Sequence, residues 1–192
     1  MNKRIALVVF VVACGGKKQD AAPAAPLDVA GVNALVPAAL KDKVVFEQRA
    51  VVLEQGRHST TYTLAAPKGW EQQSKMFGNL KGDSKAGFFS GFTIGSNCNG
   101  SCEPKDWDKE SDKADFAPHA KEKIIKDVKT PGHRTMISES TEGTKLTTVT
   151  TAWWTEGDRK YHHCRGELDE AIKDAAPAFE KACASVAIDG ED

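Results

Sequence analysis

Residues 134–167, RTMISESTEGTKLTTVTTAWWTEGDRKYHHCRGE, decide the fold. Three segments of this stretch, 134–140, 146–155 and 160–167, are rich in the β-branched and aromatic residues that strands favour. The turn sequences Thr141-Glu142-Gly143 and Glu156-Gly157-Asp158 separate them. Because short turns join neighbouring strands in antiparallel order, we predict a three-stranded meander here.

Three more strands are predicted upstream of the meander. Residues 44–54 and 59–66 are rich in Val, Thr and aromatic residues, with Gln55-Gly56-Arg57 as a hairpin turn between them. Residues 86–95 place Phe88, Phe92 and Ile94 on a period of two, with Ser90 between the first two, as a strand with one buried face does.

The other apolar residues repeat with helical spacing. Phe116, Ala120, Ile124 and Val128 recur every four positions, which predicts a middle helix with Pro118 in its first turn and its end at Pro131-Gly132. Residues 106–113 are then a separate turn or a shorter helix. Residues 168–186 repeat at i, i+3 and i+4, which predicts a last helix that Pro177 either kinks or divides into two short helices. A short helical turn is predicted at residues 35–40, with Pro37 near its start.

This order of elements predicts an α+β fold. We expect a single antiparallel sheet of about six strands, with two main helices packed on one face.

The stretch Tyr62-Thr63-Leu64-Ala65-Ala66-Pro67-Lys68-Gly69-Trp70 resembles the strand and Pro-x-Gly-Trp entry of PsbP-like domains. The order of elements over residues 62–188 is also similar to theirs. The resemblance implies a PsbP-like fold and a binding or assembly module rather than an enzyme. It implies no catalytic residue.

The first residues predict an exported lipoprotein. Lys3 and Arg4 precede the apolar run 5–12, which is too short to span a bilayer, so residues 1–13 read as a signal peptide. Val11-Val12-Ala13-Cys14 resembles the lipobox of bacterial lipoproteins, in which the cysteine is acylated and becomes the new N-terminus. The alternative is an ordinary signal peptide with a chance cysteine.

This prediction sets the domains and the location. Residues 14–26 form a lipidated N-terminus and flexible tether, and residues 27–192 form a single domain. Gly15 follows the cysteine, which resembles the signal for sorting to the outer membrane. We therefore expect the chain in the cell envelope, held to the outer membrane by its lipid.

Four cysteines remain once Cys14 carries lipid, in a compartment that favours disulfides. They allow three pairings, among which the sequence does not choose. We favour Cys98–Cys102, because Asn99-Gly100 between them favours a tight turn, together with Cys164–Cys183.

A metal site is the alternative use of these residues. His162 and His163 could be combined with cysteines or nearby carboxylates, but their spacing matches no standard zinc pattern. Adjacent histidines on a strand also point to opposite faces. Residues 106–117 lack the glycine and the final glutamate of a calcium loop. We therefore expect no metal and no cofactor.

No catalytic motif stands out, so the sequence predicts no enzyme: Gly-x-Ser-x-Gly, His-Glu-x-x-His and the P-loop are all missing. The net charge of -1 gives no reason to expect a nucleic-acid partner. Trp153 and Trp154 should split between the core and the surface. Lysines 121, 123, 126 and 129 are taken as the solvated face of the middle helix.

The leading hypothesis is a lipid-anchored binding or assembly module of the cell envelope without catalytic activity. Its partners would be the membrane, through the lipid, and an unknown envelope protein. The alternatives are a metal-binding protein or metal-dependent enzyme that uses His162 or His163, and a purely structural envelope protein.

Overall fold

A computed structural model describes residues 27–76, 78–82, 91–97, 121–154 and 161–191. These residues form a mixed α+β structure that consists mainly of strands. The helices are α1 (Val29–Ala34) and α2 (Ala176–Ala184), with 3-10 turns at Ala38–Leu40 and Lys173–Ala175. The strands are β1 (Phe46–Gln55), β2 (His58–Pro67), β3 (Glu71–Gln72), β4 (Gly78–Lys81), β5 (Gly91–Asn97), β6 (Glu122–Thr130), β7 (His133–Ser140), β8 (Leu146–Trp154), β9 (Tyr161–Asp169) and β10 (Ala187–Glu191).

The predicted meander is confirmed. Strands β7, β8 and β9 are antiparallel neighbours, and Thr151 of β8 lies opposite Thr135 on one side and Cys164 on the other. They belong to a seven-stranded sheet with the order β3-β4-β5-β9-β8-β7-β6. The predicted third strand is β5, which is described from Gly91 onward.

The hairpin of β1 and β2 is also confirmed, but the prediction of a single six-stranded sheet is wrong. Gly56 makes the hairpin turn with a φ of 67°, which glycine adopts without steric cost. The hairpin pairs with β10 in a separate three-stranded sheet of order β1-β2-β10. Residues 187–191 carry few strand-forming side chains, so only the long-range pairing with β2 makes them a strand.

The predicted middle helix is wrong where the structure describes it. Residues 122–130 form β6, which pairs with β7 through a turn at Pro131-Gly132, and Gly132 has a φ of 70°. The apolar spacing that favoured a helix rests here on Ile124 and Val128 alone. With Ile125 these are β-branched, so they suit a strand once a neighbouring strand is available. The rest of the predicted helix and the turn or shorter helix before it, within residues 106–120, lie outside the described residues.

The last helix is shorter than predicted. Leu168 and Asp169 continue β9, and α2 begins only at Ala176. The 3-10 turn at Lys173–Ala175 is followed directly by α2, so two short helical segments form, and Pro177 lies in the first turn of α2, where a missing N–H costs nothing. Near the start of the domain Pro37 caps the 3-10 turn at residues 38–40, as expected, while the preceding α1 is capped by Asp28 and was not predicted.

Helix α2 lies between the two sheets, and Phe179 is the centre of the core. Its ring contacts Phe46 of the small sheet at 5.0 Å between centroids and Phe92 of the large sheet at 5.5 Å. Trp70 packs against it at 6.0 Å. A Cβ atom on Gly166 would lie 3.0 Å from the ring, so that glycine lets the helix approach the sheet closely.

Among the residues described, no helix has the length and hydrophobicity needed to cross a membrane.

Replacing Phe179 with alanine should lower the free energy of unfolding by about 3–5 kcal/mol, because the cavity would remove packing from both sheets at once. Chemical denaturation followed by circular dichroism measures the change. The matched control is Met76→Ala, since Met76 is 61% exposed and its truncation should cost little. Equal effects of the two substitutions would contradict the central place of Phe179.

Candidate docking surface

The cysteines divide between described and undescribed residues. Cys164 of β9 and Cys183 of α2 form a disulfide, with Cα atoms 5.4 Å apart, and both are buried. This is the pair that the sequence favoured, and it ties the large sheet to the helix. Cys14, Cys98 and Cys102 lie outside the described residues, so the lipid attachment and the second pair stay predictions.

His162 and His163 do not converge on a common site. His162 is fully buried, with Nδ1 hydrogen-bonded to the hydroxyl of Tyr62 at 2.9 Å and its ring stacked on Trp153. The Tyr62 contact joins the small sheet to the large one. His163 points to the opposite face, where its ring lies 3.0 Å from the position that a Cβ atom on Gly95 would take.

Among the described residues, no three His, Cys, Asp or Glu side chains are grouped so that they could hold a metal ion. The acidic stretch 106–117 lies outside those residues. Within the part of the chain that the structure describes, the metal alternative has no donor set.

The two tryptophans are divided as alternation predicts. Trp153 packs against the main core beside His162, while Trp154 packs against Ala152 and Tyr161 on the other face of the sheet. Both side chains are half-buried, so neither is an open aromatic platform.

A shallow cleft of about 210 Å³ lies at the end of strands β7 and β8. Its charged lining residues are Glu139, Lys145, Glu170 and Lys173, two of each sign. Lys173 pairs with Glu170 at 2.7 Å and lowers the pKa of that carboxyl. The cleft is smaller than typical ligand pockets and its charges balance, so it is a weak candidate for a small-molecule site.

The edge of the large sheet is the stronger candidate. We call residues 121–130, which comprise Lys121 and strand β6, the docking edge. β6 is the last strand of the seven-stranded order. Eight of its nine residues are exposed, and Glu122 is half-buried. Among the described residues, seven large apolar side chains are exposed, and three of them lie here: Ile124 at 44%, Ile125 at 51% and Val128 at 47%.

The acidic side chains of the docking edge are held by the protein itself. Asp127 accepts two hydrogen bonds from Arg134 of β7, from Nε at 2.9 Å and from Nη2 at 2.7 Å. Glu122 accepts one from the hydroxyl of Ser138 at 3.0 Å. These contacts fix β6 against β7. The exposed side chains of Ile124, Ile125 and Val128 take no part in them.

A bulge shapes the same strand. Ile124 lies opposite Ser138 and Lys126 lies opposite Ile137, so Ile125 is an extra residue in the ladder. Bulges bend an edge strand and redirect its side chains. Lys126 reaches Glu180 of α2 at 2.5 Å, and Val128 points to the same side of the sheet because it lies two residues further on.

Sequence reasoning missed this surface because it placed lysines 121, 123, 126 and 129 on a helix. The signal that could have found it is the run Ile124-Ile125 with Val128, since three β-branched residues in five positions favour a strand over an exposed helix.

No protein-family model matches the sequence, and no curated protein is significantly similar to it. Among solved structures, the chain is similar to the Ran-binding protein Mog1p of Saccharomyces cerevisiae. The identity is 8% and the TM-score 0.46, over 74% of this chain and 96% of that one. A mutant of Mog1 gives 8% identity and a TM-score of 0.45, with the same coverage. The PsbP-like resemblance stays a prediction.

The ion pair behind the docking edge predicts a pH dependence. The two hydrogen bonds from Arg134 hold the pKa of Asp127 below its ordinary value of 3.8. A carboxyl with a lowered pKa in the folded state stabilises it above the unfolded pKa, and this contribution is lost as the pH falls through the folded pKa. Asp127→Asn should therefore lower the free energy of unfolding by about 1 kcal/mol at pH 7.

The difference between Asp127→Asn and the unchanged protein should shrink as the pH falls below 3.8. Denaturant titrations at several pH values measure it. Asp42→Asn, at an exposed carboxylate outside β6, is the control and should show no such loss. A difference that stays constant down to the lowest pH would contradict the role of the pair.

Proposed function

We propose that this chain is a lipid-anchored binding or assembly module of the cell envelope, without catalytic activity, that binds a protein partner along the docking edge. The signal-peptide pattern of residues 1–13 and the lipobox-like Val11-Val12-Ala13-Cys14 support the anchor. Gly15 after the cysteine supports an outer-membrane location. The composition of residues 14–26 supports a tether long enough for the domain to reach a partner.

The observation that carries the binding role is the set of exposed apolar side chains on an edge strand. Ile124, Ile125 and Val128 are each about half exposed and lie within five residues of one another. Ile124 lies opposite Ser138 and Val128 opposite Thr135, so the exposed apolar side chains border the edge on both faces of the sheet. An edge strand adds a row of backbone groups that a partner can pair with.

A non-catalytic role is supported by the surroundings of the reactive side chains. His162 is enclosed by Tyr62 and Trp153 in the core, and Cys164 and Cys183 are bonded to each other. Each of these side chains makes contacts that hold the core together, so a structural role explains its presence.

The anchor is tested by the intact mass of the chain extracted from membranes, under native, denaturing and reducing conditions. We expect a chain that begins at Cys14 with added acyl mass and gains about four hydrogen atoms on reduction, as two disulfides require. A chain without acyl mass would contradict the anchor. A metal adduct in the native spectrum together with free thiols would instead favour the metal alternative at His162 or His163.

The docking edge is tested by site-specific photo-cross-linking of the full chain in its membranes. A photoreactive residue at Ile125 and, separately, at Val128 should give one adduct with the same partner, identified by mass spectrometry. The same residue at Met76, which is exposed but outside the edge, is the control and should give none. Identical adducts from all three positions, or none from the edge, would contradict the proposal and favour a purely structural protein.

A further inference from the structure

We infer that the partner at the docking edge is a second copy of this chain, whose own β6 pairs antiparallel with this one around Val128. This inference rests on the proposed function and names the partner that the edge binds. It follows from the order of side chains along residues 126–130 and from the ion pairs that already balance the lysines of the edge. Two seven-stranded sheets would join into one continuous sheet.

The free side of β6 is long enough for a short ladder. β6 pairs with β7 on one side, and no described residue pairs with its other side. Every residue from 126 to 130 is exposed. This segment follows the bulge at Ile125, so its side chains alternate regularly between the two faces of the sheet. An edge strand of this kind is a template for pairing with another strand.

The side chains of this segment are complementary to a copy of themselves. Two identical strands that pair antiparallel are related by a two-fold axis perpendicular to the sheet, so each residue lies opposite one on its own face. A ladder centred on Val128 places the two copies of Val128 opposite each other and Lys126 opposite Thr130. By symmetry it places Asp127 opposite Lys129 twice. No like charges lie directly opposite each other in this ladder.

Neighbouring registers lack this complementarity. A centre on Asp127 places two carboxylates opposite each other, and a centre on Lys129 places two ammonium groups opposite each other. Like charges in direct opposition destabilise strand pairing. A centre on Lys126 also opposes two lysines, and it brings the bulge at Ile125 into the ladder. Among these four centres, Val128 is the one that avoids like-charge pairs.

The lysines of the docking edge oppose such pairing less than their number suggests. Lys121 is paired with Glu142, and Lys126 is paired with Glu180 of α2 at 2.5 Å. Lys129 is also engaged within its own chain. Exposed lysines normally keep edge strands from pairing with one another. That protection is reduced here, because carboxylates of the same chain balance the charge.

Asp127 keeps acceptor capacity for a second cation. Each of its two oxygens accepts one hydrogen bond from Arg134, whereas a carboxylate has about four acceptor sites. Lys129 of the second copy can therefore approach it while Arg134 stays bonded. On the other face the apolar contact is Val128 against Val128, a side chain that is 47% exposed in one copy. Ile124 lies outside the ladder and takes no part.

The short ladder predicts a weak dimer. Stable interfaces bury about 1,200–2,000 Å² in total, and residues 126–130 from two copies offer less. The proposed lipid anchor would confine the copies to one surface and raise their effective concentration. Assembly would then depend on how densely the chain is anchored.

The experiment uses the full mature chain in a density-matched detergent. Sedimentation equilibrium over a concentration series measures the Kd for dimerisation, and hydrogen exchange measures protection of the backbone amides of residues 126–130. We expect a monomer–dimer equilibrium, with protection that appears only at high concentration. A chain that stays monomeric would overturn the inference. Equal protection at low and high concentration would also overturn it, because another part of the chain would then occupy the edge.

The decisive variants replace one lysine inside the ladder and one outside it. Lys129→Asp places a second carboxylate opposite Asp127 at two positions of the ladder, and should raise the Kd by about tenfold or more. Lys123→Asp changes the net charge equally on the same strand but before the bulge, and should raise it less than about twofold. Thermal unfolding of both variants establishes that each still folds. Equal effects of the two substitutions would refute the proposed ladder.

Chemical cross-linking tests the register. The two copies of residue 128 lie directly opposite each other, with Cβ atoms about 4.5–5.5 Å apart. A short bis-maleimide should therefore link Val128→Cys chains into dimers. Met76→Cys, at an exposed position outside the edge, is the control and should give no more dimers than the unchanged protein. Equal cross-linking of the two variants would show that the register is wrong.

Failure of this inference is separable from failure of the proposed function. If photoreactive residues at Ile125 and Val128 capture a different protein while the chain stays monomeric, the docking edge stands and the second copy is the wrong partner. If the chain dimerises through β6 in detergent but neither position gives an adduct in membranes, the self-pairing stands and the proposed role in the envelope is wrong.

Discussion

The packing of Phe179 between the two sheets is the contact on which the structure depends most. Its ring touches Phe46 of the small sheet and Phe92 of the large one, and Gly166 leaves room for it. Two further links join the same parts: the Cys164–Cys183 bond between sheet and helix, and the Tyr62–His162 hydrogen bond between the sheets. Since these contacts lie together, α2 is the layer that joins two sheets which share no strand.

What the sequence predicted well is local, and β10, which it missed, depends on pairing between distant residues. The meander and the first hairpin follow from alternating side chains and turn residues such as Gly56, which act over a few positions. β10 could not be predicted, because Ala187–Glu191 becomes a strand only by pairing with β2. β6 was misassigned because Ile124 and Val128 fit both periods, and the neighbour that decides between them, β7, comes later in the chain.

The candidate surface shows the same limit. The sequence shows its lysines as a basic cluster, but the kind of surface that they border depends on the secondary structure. On a helix, lysines spaced over two turns spread over a solvated face, whereas on an edge strand they border a row of backbone groups and three exposed apolar side chains. The histidines and tryptophans could be sorted by alternation alone, because position on a strand fixes the face that a side chain takes. A surface that combines an edge with exposure requires the sheet order, which no local pattern contains.

The pairing of β2 with β10 has a consequence for the way the chain acquires its fold. Thr63 and Asp189, which are hydrogen-bonded through their side chains, lie 126 positions apart. At synthesis rates of about 5–20 residues per second, β2 is made about 6–25 s before its second neighbour exists. Throughout that time the small sheet is limited to the β1–β2 hairpin, and an isolated hairpin is only marginally stable in water. The small sheet is therefore completed last, with residues 187–191 as its final strand, whereas every strand of the large sheet precedes residue 170.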